Sequence, residues 1–251
     1  MGKSTYKYYL TAFLSQFNPM TIGHSLQQSL GHIDIRSEYK EGLPNVENYQ
    51  NRVQYILPFA EEWFTASGGT TKTNSHSWSI LTQRYAYDFV IVNEQGQSYK
   101  NEGKILEGYY CYNKEVLSPA DGVVVEVQNT IKDYQGVGDN SIDWKTKDFR
   151  GNYVMIEHAN DEFSFLAHFK QGSIKVQKGE AVNQGQVLGM CGNSGHSTEP
   201  HIHFHLQSKK EFWTAAGLPI RFNKISKRYK EDTQIVDHSF IEKDEYVKNV
   251  E

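Results

Sequence analysis

Met190-Cys191-Gly192-Asn193-Ser194-Gly195-His196-Ser197-Thr198-Glu199-Pro200-His201-Ile202-His203-Phe204-His205-Leu206 divides into two parts. A Gly/Ser/Asn loop closed by a proline leads into a run in which histidine alternates with apolar residues. In a β-strand, alternate side chains share a face. Ile202, Phe204 and Leu206 can then anchor a core while His201, His203 and His205 line the opposite surface. Same-face neighbours lie roughly 6–7 Å apart, so one imidazole can bind a metal while the next reaches the reacting groups. An exposed histidine face that only makes hydrogen bonds is the ordinary alternative. Three of the chain's ten histidines at strict alternation behind a Gly-rich loop favour a site.

The rest of the chain supports a β-rich reading. Its 251 residues suffice for one good-sized core with extensions. Sixteen tyrosines and 13% aromatic residues lean toward strands. A formal charge of −4 implies no basic face for nucleic acid. No apolar run is long enough for a membrane span, and the first twenty residues lack the pattern of a secretory signal. Cys111 and Cys191 have no CxxC spacing; two buried thiols or one disulfide are both open.

In chain order, a short helix is expected over Tyr6–Phe17, stopped at Asn18-Pro19. The segment after it, with Gly23, Gly31, Gly42 and Pro44, reads as irregular wrapping. His24 and His32 stand there without evident partners. Strands are expected over Val53–Phe59, Glu62–Gly68 and Arg84–Val92, and Asp88 inside the last needs a partner or a metal. Ser118-Pro119-Ala120-Asp121-Gly122 is a turn between two strands. Residues 129–150 form a long loop of the kind that rims a site. Tyr153–His158 and Glu162–Phe169 make a hairpin, and short strands with glycine turns fill 174–189. The charged segment 226–251 shows no core pattern. The expected organisation is an N-terminal extension, 1–50, partly helical; a β-domain, 51–225; and a charged C-terminal extension, 226–251.

Asp88, His168, His201 and His203 come from separate expected strands. Two histidines and a carboxylate suit zinc with a fourth position open. Spare imidazoles would move protons and hold an oxyanion, which points to metal-assisted amide hydrolysis.

The same residues carry a resemblance. Ser118-Pro119-Ala120-Asp121-Gly122-Val123-Val124, Gly151-Asn152-Tyr153-Val154, Leu166-Ala167-His168-Phe169, Lys178-Gly179 to Leu188-Gly189, and Gly192 to His205 resemble the LytM/lysostaphin-type zinc endopeptidases, peptidase family M23. The likeness runs from about Val116 to Leu206, with a fainter extension to Pro58. It implies a mainly β fold, an antiparallel β-sheet domain with a sandwich- or barrel-like groove. It implies Zn2+ as cofactor, peptidoglycan peptides as substrate and action in the cell envelope. By position, Asp88 and His203 resemble the family's ligands, and His168 and His201 its catalytic pair.

One departure stands out. The family's first ligand is a histidine four residues before the aspartate, where this chain has Arg84, which has no lone pair to give a metal. Either His76 loops back to supply the imidazole, or the site is degenerate and the domain a binding or scaffolding module. Residues 178–189 also resemble carrier and phosphotransfer β-domains, but no carrier lysine motif is present. His205 is expected to support a ligand, His196 to be solvent-exposed, His158 to be structural, and His238 has no role.

Overall fold

The computed structural model describes residues 19–139, 141–158 and 161–250; the helix expected over Tyr6–Phe17 lies outside them. Thirteen strands follow one helix. They are β1 (Trp63–Ser67), β2 (Tyr87–Val90), β3 (Glu115–Leu117), β4 (Gly122–Gln128), β5 (Asn152–His158), β6 (Glu162–Phe169), β7 (Ala181–Val182), β8 (Val187–Met190), β9 (Ile202–Gln207), β10 (Gly217–Leu218), β11 (Ile225–Tyr229), β12 (Asp232–Val236) and β13 (Tyr246–Asn249). Eleven of them form one sheet in the order β12-β11-β13-β1-β2-β9-β6-β5-β4-β7, with β10 also on β9, and β3 pairs β8 separately. Every strand pairing is antiparallel. The antiparallel β architecture expected from the alternating patterns is therefore present.

Strand β9 sits centrally, between β2 and β6, and its alternation sorts its two faces. Ile202, Phe204 and Leu206 join the main core with Phe89, Val154 and Leu166. His203 and His205 share the other face with Phe165 and Ala167, their register partners on β6. A smaller aromatic cluster of Tyr153, Phe163, Phe165 and Phe212 packs on that side. Two layers of side chains thus flank the sheet, and the histidines emerge beside the second.

The stretch expected to be irregular wrapping contains helix α1 (Pro19–Glu38). Pro19 starts this helix: proline is well suited to the first helical position, where its missing N–H costs nothing. Ile35 seats it on Leu81 and Ala216. Gly31 marks the closest approach, since a Cβ there would lie 1.9 Å from the Trp213 carbonyl oxygen. His24 and His32 also have partners. The His24 ring packs 5.0 Å from Phe149, and His32 Nε2 accepts the Leu81 N–H at 3.3 Å.

Val53–Phe59, expected as a strand, makes only an isolated bridge from Tyr55 to Phe222. It nonetheless buries Tyr55, Leu57 and Phe59 in the core. The charged stretch 226–251 also differs from its polar appearance. Its strands continue the sheet through β13, which pairs β1, and Ile241 and Val247 enter the core. Asn249 fastens this edge: its Oδ1 accepts the Leu57 N–H, and its amide donates to the Leu57 and Phe59 carbonyls.

Candidate metal centre

Asp88 on β2 and His203 on β9 are register partners, so their side chains meet across two adjacent strands. His203 Nδ1 lies 3.0 Å from Asp88 Oδ1. His201 Nε2 lies 3.6 Å from the same oxygen, and His76 Nε2 lies 3.2 Å from Oδ2. Potential ligand atoms of His76, Asp88 and His203 all fall within 4.8 Å of one another.

His76 arrives on a braced loop. Ser75 Oγ donates to the Arg84 carbonyl at 2.6 Å, and Asn74 Nδ2 donates to Glu242 at 2.9 Å. The Arg84 side chain turns to this loop: Nε donates to the Trp78 carbonyl at 3.1 Å, and its guanidinium stacks 4.6 Å over the Trp78 ring. The residue at the departure from the family pattern thus braces the segment that carries His76.

His168 reaches the site through a β-bulge. Phe169 pairs with Asn152 and Ala167 with Tyr153, leaving His168 as the extra residue. Its φ of 67° is left-handed, a conformation that non-glycine residues adopt sparingly and that clusters at functional sites. Without the bulge, strict alternation would turn His168 toward the core with Leu166. With it, His168 faces His201 at a ring separation of 4.6 Å, and Phe169 takes the core position. The Gly-rich loop closes behind it. A Cβ on Gly195, whose φ is +82°, would lie 2.4 Å from the Gly151 nitrogen.

The hydrogen-bond partners assign three imidazole tautomers. His168 Nδ1–H donates to the Ser194 carbonyl at 2.7 Å. His201 Nδ1–H donates to the Glu199 carbonyl at 2.9 Å. Both rings therefore keep a lone pair on Nε2. For His203 the chain runs through two residues. Gln207 Nε2 donates to the Lys209 carbonyl at 2.6 Å, turning Oε1 toward His205 Nε2–H at 3.0 Å. His205 Nδ1 then accepts His203 Nε2–H at 2.9 Å. The remaining lone pair of His203, on Nδ1, faces the Asp88 carboxylate.

Two acceptors facing each other at 3.0 Å need a cation between them. Burial, the largest influence on His203, lowers its proton affinity despite Asp88 beside it, which disfavours a proton as that cation. Burial alone would raise the Asp88 pKa, but His76, His201 and His203 together hold it well below the usual carboxylate range. His76 Nδ1 is a buried ring nitrogen without a hydrogen-bond partner among the described residues. Two imidazole nitrogens and a carboxylate oxygen are a zinc donor set with room for a fourth ligand. The residues present fit such a metal.

The structure thus brings His76, Asp88, His168, His201 and His203 into one cluster. His205 hydrogen-bonds His203, and His158 is held internally by the Asp121 carbonyl and Ser164. His196, expected in solvent, is half-buried against Trp144 at a ring separation of 5.3 Å. Cys111 and Cys191 are buried free thiols. Gln207 escaped the sequence reading although it lies one alternation step beyond His205. The flanking aromatic wall of Trp144, Phe149, Phe212 and Trp213 carries no local signal of its own.

Residues 108–214 match the family model for peptidase family M23. Peptidoglycan DD-endopeptidase ShyA of Vibrio cholerae serotype O1 is 34% identical over 91 residues, covering 36% of this chain and 17% of that protein. Endolysin 2638A of Staphylococcus phage 2638A is 29% identical over 142 residues, covering 52% of this chain and 26% of that protein. Among solved structures, the lysostaphin catalytic domain from Staphylococcus simulans matches with 16% identity and a TM-score of 0.36, covering 63% of this chain and 88% of that one. Residues 108–214 therefore form a peptidase family M23 segment, and the chain spans well under half the length of these curated relatives. The segment holds His168, His201 and His203; His76 and Asp88 precede it.

Proposed function

We propose that the protein is a zinc-dependent endopeptidase that hydrolyses amide bonds in peptidoglycan peptides. The observation that carries this reading is the Asp88–His203 pair of facing acceptors, with His76 beside them and two further Nε2 lone pairs adjacent. The M23 match and the relatives named as peptidoglycan endopeptidases support the substrate class.

His76, Asp88 and His203 would hold the metal. When bound, zinc supplies Lewis acidity and lowers the pKa of water toward neutrality. His201 and His168 then do the proton work. His201 Nε2 is free to take a proton as water oxygen bonds to the scissile carbonyl carbon. When the C–N bond breaks, that proton goes to the leaving amine. Burial, helped by His201 and His203, keeps His168 neutral by pushing its pKa well below the ordinary value. The backbone carbonyls of Ser194 and Glu199 fix both rings in the tautomer this transfer needs.

Digestion of purified peptidoglycan, followed by mass spectrometry of the fragments, tests the reading. Peptide cleavage products released by the zinc-loaded protein, and lost in His201→Ala with zinc retained, are expected. Intact peptides with the wild-type protein would refute it.

A further inference from the structure

A cleft of about 320 Å3 runs outward from the candidate site beneath helix α1, lined among others by His24, Gln28, Gln83, Trp144, Phe149 and Trp213. It shares His76, Gln83, Phe149, His196 and Phe212 with the cavity over His168 and His203, so a chain held in one reaches the other. Its volume is that of a small-molecule site.

Two features define what would fit. The walls are rings set at angles to one another: Phe149 lies 5.5 Å from Trp213, and His24 lies 5.6 Å from Trp213. The lining contains no Asp, Glu, Lys or Arg among the described residues. Burial also lowers the pKa of His24 and His196, favouring neutral rings. A charged group entering here would give up water without a counter-charge. Peptidoglycan peptides carry free carboxylates and amines; its sugars are neutral, with C–H faces suited to aromatic rings and polar edges suited to amides. Aromatic faces carry partial negative charge that attracts such C–H groups, and Gln28 and Gln83 supply amide donors and acceptors.

We propose that this cleft binds an N-acetylhexosamine unit of the glycan strand, so that α1 and the 139–150 loop seat the sugar while the attached peptide enters the metal site. The proposal rests on the peptidoglycan reading above, but its test needs neither zinc nor turnover.

The probe is a soluble tetramer of N-acetylglucosamine, titrated into the full chain and followed by tryptophan fluorescence and calorimetry. Saturable binding is expected, weakened at least tenfold by Trp144→Ala or Trp213→Ala, and weakened less by Trp213→Phe. Gln28→Ala, on the helix wall, provides a second variant should a tryptophan change unfold the protein, and it should also weaken binding. No saturable binding by the wild-type chain would overturn the proposal. Binding indifferent to all these substitutions would overturn it too, as would equal affinity for a sugar-free charged stem peptide. Sugar binding without peptide hydrolysis would instead count against the endopeptidase reading alone.

Discussion

The Nδ1 lone pair of His203 points at Oδ1 of Asp88 from 3.0 Å, and it does so because His205 and Gln207 hold the ring's only proton on the far side. The site's electrostatics follow from this relationship. Neither group can donate to the other, so the arrangement is relieved by a cation.

The supporting chain is therefore a handle on metal affinity. His205→Ala removes the acceptor for His203 Nε2–H and frees the ring to rotate. Loss of such an outer partner typically costs 10- to 100-fold in affinity. Competition with a zinc chelator should show a drop of that size, with stoichiometry restored at high zinc. An unchanged dissociation constant would remove His205 from the account.

Arg84 should act through the loop that it braces. Arg84→Ala deletes the hydrogen bond to the Trp78 carbonyl and the stacking on its ring. Stacking of this kind is worth about 0.5–2 kcal/mol. Weaker zinc binding is expected, with His76 more mobile in NMR spectra. Arg84→Lys keeps the charge but loses the planar stack, so it should rescue little.

The far edge of the sheet offers a stability test. Buried Glu162 accepts the Tyr55 hydroxyl at 2.7 Å and the Arg52 N–H at 2.9 Å, and also the Tyr49 hydroxyl. Glu162→Ala strands these donors, at about 1–3 kcal/mol for each that stays buried. Chemical denaturation should show a loss of about 3 kcal/mol or more. A loss below 1 kcal/mol would mean that the network does not hold the 49–55 segment to the sheet.

Acid should also destabilise the fold through His158. Burial lowers its pKa in the folded state, so the unfolded chain binds the proton more readily. Its effect is absent above the ordinary histidine value of about 6.5. As pH falls through that value, protonation favours the unfolded state. Melting of the metal-free protein should decline between pH 7 and pH 5, less steeply in His158→Asn. Equal slopes for both proteins would assign the acid sensitivity elsewhere.

Strand β9 was legible because its chemistry is local. Alternation alone sorts Ile202, Phe204 and Leu206 from the histidines. His168 shows the limit of that rule, because one extra residue against Asn152 reverses parity and no residue type announces it. Pro19 is ambiguous in one dimension, serving equally well to end a helix or to begin one. The decision comes from Ile35 docking on Leu81 and Ala216, far along the chain. Ile241 and Val247 are isolated apolar residues among charges, and their burial depends on β13 pairing with β1. The placement of His76 is likewise non-local: a 74–84 loop folds back on Trp78 and Glu242 before it can meet Asp88.

Metal content by mass spectrometry, on wild-type protein and His76→Ala purified identically, tests the central claim most directly. One zinc per chain in the wild type, falling to a small fraction in the variant, is predicted. Equal zinc in both proteins, or none in either, would contradict the three-residue centre.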